Sequence, residues 1–173
     1  MAELDLKEKS LENLTQNLNN LVSFYRKLLV VVRNEKEILI SAQLDNLNEN
    51  NKKKEELILK IRSLDKERVI LSKELANIFQ VDSTGLRLNH FFPYITVKQT
   101  EKLQSLQTVL EVLIKRVSSL NKFNEQLVKS ALDNISGAMS SIKTTLSGKS
   151  VYQSKGKVKA AKTRSGQLVS KEV

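Results

Sequence analysis

Leu11, Leu14, Leu18, Leu21, Tyr25, Leu28 and Val32 follow one another at alternating spacings of three and four residues, which stacks their side chains on one face of an α-helix. The same alternation returns after Leu57 and again after Leu103, and no proline interrupts any of the three stretches. A strand would need a period of two. Apolar stripes this long can be hidden only by packing helix against helix, so the pattern predicts an all-α fold.

Composition narrows the choices further. Only 5% of the 173 residues are aromatic, and there are five glycines, one proline and no cysteine. That balance favours helix over sheet and removes thiol chemistry, disulfide frameworks and cysteine metal sites. The longest apolar run, Leu28 to Val32, falls far short of the ~20 residues that cross a bilayer. The opening Met1-Ala-Glu-Leu-Asp lacks the basic start and apolar core of a secretory signal. These features predict a soluble, cytoplasmic protein without membrane insertion.

The formal charge of +10 is unevenly distributed. From Ser147 onward, Lys149, Lys155, Lys157, Lys159, Lys162, Arg164 and Lys171 face a single acid, Glu172, so this short tail carries +6. In the remainder the two signs are interspersed, as on a solvated helical surface.

The pattern predicts a long antiparallel hairpin or bundle of three long helices, with a short irregular middle segment and a disordered basic tail. A first helix is expected from about Asp5, with Asp5 and Glu8 spaced as a capping box, to about Ile40. Ser41 to Asn46 suits a tight reversal, with a continuous helix as the alternative. A second helix is expected from about Asp45 to Phe79, loosely packed at first because Asn48 to Glu56 is polar on every face. Asp82-Ser-Thr-Gly85 reads as a helix stop and Pro93 forbids a regular helix beyond it. The nearby Phe79, Phe91, Phe92 and Tyr94 are expected to plug the end of the helical hairpin. Thr96 and Gln99 have capping-box spacing and open a third helix to about Leu146. Its seam runs through Leu103, Leu106, Leu110, Leu113, Val117 and Leu120, then continues through Ala131 and Ala138 to Ile142. The expected division is a helical domain, 1–146, and a flexible tail, 147–173.

Enzymatic readings fail by inventory. The sequence has no glycine-rich phosphate loop, no cluster of metal ligands, and one histidine, His90, with no nucleophile to activate. No cofactor is implied. A plain coiled-coil spacer would explain the stripes but would not need the break at Gln80 to Thr96. Nucleic-acid binding through the tail is disfavoured, because the helical part has no dominant basic stripe and Tyr152 alone is available for stacking. A chaperone or adaptor that offers an apolar helical surface to a partner helix fits best.

The residues also carry a family resemblance. A long helix, a Ser-Ala-Gln-Leu-Asp break, a charged second helix and a variable middle precede Asn121-Lys-Phe-Asn124-Glu-Gln-Leu127, and Val-Tyr152-Gln-Ser-Lys-Gly156 lies beyond. This order resembles the FlgN family of flagellar export chaperones over almost the whole chain. The resemblance implies a cytoplasmic chaperone that binds the C-terminal region of hook-associated proteins, blocks their early assembly and helps deliver them to the flagellar type III export gate. By motif match it marks Asn121, Asn124 and Leu127 as cargo-facing, with Leu120, Val128 and Ala131 as neighbours at helical spacing. For Asn124 the alternative is a buried residue that fixes helix register, and for Leu127 it is plain core packing. Tyr152 and Gly156 match the family's tail motif, which implies docking to the export gate. Otherwise Tyr152 is an unpartnered tail residue. The lysine-dense extension beyond Gly156 departs from the family pattern.

Overall fold

A computed structural model describes residues 2–82 and 84–146. The expected tail, with Tyr152 and Gly156, lies outside the described residues. Three long helices account for most of the description: α1, Ala2–Ser41; α2, Leu47–Phe79; and α3, Val97–Leu146. There is no strand among the described residues. The all-α bundle read from the stripes is the fold.

The ends of these elements refine the sequence expectations. α1 begins at Ala2, so Asp5 and Glu8 lie inside the helix instead of capping it. The reversal falls where small and capping residues predicted it: Ala42 takes φ 54°, and the amide of Gln43 donates to the carbonyl of Ile38 at 3.2 Å. A 3-10 turn, Leu44–Asn46, then leads into α2. α2 stops ahead of the anticipated glycine, at Gln80, whose backbone is left-handed with φ 55°. The amide of Val81 donates to the carbonyl of Ala76 at 2.9 Å and satisfies the helix end. Gly85, at φ 65°, serves the following turn instead.

A second 3-10 segment, Leu88–Tyr94, contains Pro93 and carries the aromatic plug. Phe91 is fully buried, its ring 6.1 Å from that of Phe79, and Tyr94 stacks on Phe79 at 5.4 Å. Phe79, Phe91 and Phe92 pack against the core as their clustering predicted, whereas Tyr94 reaches only the Phe79 ring and is 53% exposed.

The compact unit is Met1–Leu127. Within it α1 is the central helix, supplying Leu11, Leu14, Leu18, Leu21, Val22, Leu28, Leu29 and Val32 to the core. At 100° per residue, its buried positions from Asn17 round to Thr15 cover an arc of roughly 160°, wider than one neighbour requires. α2 covers one side with Ile61, Leu75 and Ala76, and α3 another with Leu103, Leu113 and Val117.

Polar ties set the antiparallel register of α1 and α2. Asn17 Nδ2 donates to the Leu64 carbonyl at 3.2 Å and to Glu67 Oε2 at 2.9 Å, while Asn50 Nδ2 donates to the Val31 carbonyl at 3.3 Å. The early turns of α2 are therefore tethered, contrary to the loose packing expected from their polarity. Asn50 is buried there, and Lys54 Nζ lies 2.7 Å from Glu35 Oε2. Hydrogen bonds replace apolar contact in this stretch.

Candidate partner-binding site

Every residue marked for cargo lies on α3, so the site begins with how that helix is started and held. Thr96 and Gln99 form the reciprocal cap: the Thr96 amide donates to Gln99 Oε1 at 2.9 Å, and the Gln99 amide donates to Thr96 Oγ1 at 3.3 Å. Buried Leu103, Leu113 and Val117 then hold the helix against the core, with Leu106, Leu110 and Leu120 half-buried beside them.

Asn124 ends the buried part of the seam. It is 3% exposed, and its Nδ2 donates both to the carbonyl of Val32 and to Glu35 Oε2, each at 3.0 Å. Glu35 in turn accepts from Lys54, so one carboxylate links α1, α2 and α3. One residue along each helix, Lys36 Nζ sits 5.2 Å from the centre of the Phe123 ring, a second tie between α1 and α3. Glu35 and Lys54 were not singled out from the sequence. Their signal is their near-symmetrical placement about the whole reversal from Ala42 to Asn46, which sets them opposite each other in an antiparallel hairpin.

The other marked residues occupy different surroundings. Leu120 is half-buried and lines a shallow dent of about 280 Å³ with Leu29 and Arg33. Asn121 is half-buried and lines an open trough of about 630 Å³, whose apolar walls include Leu28, Ile58, Ile61 and Val117. Its Oδ1 is buried and accepts no hydrogen bond among the described residues. Tyr25 borders the same trough, and burial, followed by the nearby Asp65 carboxylate, raises its hydroxyl above the ordinary pKa of 10.0. Leu127, half-buried, is the last residue of the compact unit.

From Val128 to Leu146 every residue is exposed. Six large apolar side chains lie there at spacings of four, three, four, three and four: Val128, Leu132, Ile135, Met139, Ile142 and Leu146, between 41% and 69% exposed. An unburied stripe of this regularity is the kind of surface a partner helix covers. The family resemblance marks Ala131 and Val128 as neighbours of the cargo-facing residues, and the sequence pattern places Ile142 on the seam. Leu132, Ile135, Met139 and Leu146 were missed, although the four-three spacing that finds them was present.

Nothing in this arrangement points to reaction chemistry. Among the described residues no three His, Cys, Asp or Glu side chains gather to hold a metal, and no helix is long and apolar enough to cross a membrane. What the site offers is a bundle that fixes a helix and an uncovered apolar stripe.

The family model described as FlgN protein matches residues 1–160. The chain belongs to the FlgN family. FlgN proteins are flagellar export chaperones, a binding family with no known enzymatic activity, and in general they bind hook-associated proteins. No curated relative and no solved structure matches the chain.

Proposed function

We propose that this member of the FlgN family is a cytoplasmic chaperone for the C-terminal amphipathic helices of flagellar hook-associated proteins. It prevents their premature assembly and delivers them to the export gate. The observation that carries the reading is the exposed stripe from Val128 to Leu146, taken together with family membership. A cargo helix that would otherwise self-associate is shielded when its apolar face lies along this stripe. Val128 and Ala131 contribute to this face. Leu120, Asn121 and Leu127, each half-buried, contribute from the accessible parts of the compact unit. Asn124 contributes by holding α3 in place, since its amide hydrogens are already used within the bundle. Tyr152 and Gly156 are the proposed docking residues for the export gate, supported by their match to the family's tail motif.

Co-purification with the C-terminal fragment of a hook-associated protein tests the reading. The complex should form with the full chain, survive removal of residues 147–173, and be lost on Ile135→Asp, while tail removal impairs export. A complex that depends on the tail and ignores Ile135→Asp would refute this division of labour.

A further inference from the structure

The uncovered stripe specifies more than apolarity. At 100° per residue, its six large side chains fall within an arc of roughly 80°, the narrow seam of a two-stranded coiled coil rather than the broad face of a helix sunk in a core. One partner helix fits it. Assigning Leu132, Met139 and Leu146 to heptad position a and Val128, Ile135 and Ile142 to position d places Lys129, Ser136 and Lys143 at position e. The opposite flank, position g, is Ala131, Ala138 and Thr145. One border of the seam is therefore basic and the other small and uncharged.

Neither Lys129 nor Lys143 forms an ion pair with a described residue. The same stripe of a second copy would not supply the missing acids. In an antiparallel pair position e meets position e, so Lys129 of one copy opposes Lys143 of the other, twice over. In a parallel pair position e meets position g, and Lys143 opposes Ala138. The first arrangement repels and the second gains nothing electrostatically.

We propose that the occupant of this face is a single amphipathic helix of another protein that carries acidic residues along one border. Two of them lie about two heptads apart, opposite Lys129 and Lys143. The proposal rests on the docking reading above and names the chemistry of the partner. Charge on the border selects the partner and its direction along the helix, while the stripe supplies the contact area.

The test is titration of the full chain with the C-terminal fragment of a hook-associated protein, at low and at moderate salt. Lys129→Glu and Lys143→Glu should each weaken binding roughly fivefold at low salt. The loss should shrink as salt rises, and Lys129→Arg with Lys143→Arg should retain affinity. All these positions are exposed, so unchanged circular dichroism is expected of every variant. If Ile135→Asp abolishes binding but the double Glu variant binds like the parent, the acidic-border proposal is overturned and the docking site stands. If Ile135→Asp also binds like the parent, the docking reading itself fails. A dimer of the free chain that Ile135→Asp dissociates would also overturn the proposal, because the occupant would then be a second copy.

Discussion

Replacing Asn124 by three different residues separates what its amide does from what its bulk does. The side chain donates one hydrogen bond to a backbone carbonyl and one to a carboxylate, both at 3.0 Å and at a position 3% exposed. Asn124→Ala removes both and leaves Glu35 paired with Lys54 alone. With a charge-assisted bond worth about 1.5–3 kcal/mol and a neutral one about 1 kcal/mol, a loss of about 2.5–4 kcal/mol is expected. Asn124→Leu loses the same bonds but regains apolar burial of about 1.5–3 kcal/mol, so its net loss should be the smallest. Asn124→Asp keeps the shape and turns the donor into an acceptor, facing the Val32 carbonyl and the Glu35 carboxylate together. It should be the most damaging near neutral pH, and should recover relative to Asn124→Ala on acidification, as a protonated carboxyl can donate again. Urea unfolding followed by circular dichroism, at neutral and at acidic pH, gives the order. An Asp variant as stable as the Ala variant at neutral pH would refute the network as drawn.

Three further outcomes follow from other parts of the molecule. Gly137→Ala should raise helix content and tighten binding of the hook-associated fragment by up to about fivefold, since alanine gains about 1 kcal/mol over glycine in a helix and nothing lies within 4 Å of the added carbon. Unchanged circular dichroism and unchanged affinity would count against it. Phe91→Ala should cost about 3–5 kcal/mol in chemical denaturation, because a fully buried ring and its contact with Phe79 are lost together; a loss below about 1 kcal/mol would mean the plug is dispensable. Ultraviolet titration should show a late-ionising tyrosine that Tyr25→Phe removes. Because the folded pKa of Tyr25 is raised, its contribution to stability is present below the unfolded value near 10.0 and is lost as pH rises through the folded value.

The helices, the reversal and the aromatic plug were legible because each is dictated locally. Three-four spacing, Thr96 with Gln99, and four aromatics beside Pro93 are statements about neighbours in the chain. The tether at the start of α2 was not legible in that way. Asn50 and Lys54 look solvated until the hairpin closes and brings the Val31 carbonyl and Glu35 against them. The exposed stripe of α3 was half-legible for a different reason. Following a strict heptad repeat past Asn124 leads to Ala131 and Ala138, whereas the large side chains step from Asn124 to Val128 to Leu132, two consecutive spacings of four. An α-helix has 3.6 residues per turn, so a seven-residue repeat drifts round its surface and an added four-step corrects the drift. The apolar stripe follows the helix, and a fixed repeat loses it.

Periodicity also leaves an ambiguity that Asn124 resolves. A seam of Leu and Val repeating every seven residues is nearly self-similar, so sliding α3 by one heptad against α1 would exchange one set of apolar contacts for another at little cost. The slide would, however, bring Val117 or Ala131 to the position of Asn124. Neither side chain can donate to Glu35 or to the Val32 carbonyl, and the displaced amide would have to find new partners. A polar residue at one seam position thus selects one register from several. The choice also sets the surface, because the register decides which apolar side chains of α3 enter the core and which stay uncovered. With Asn124 fixed against Glu35, the core takes Leu103, Leu113 and Val117, and the stripe from Val128 to Leu146 stays exposed.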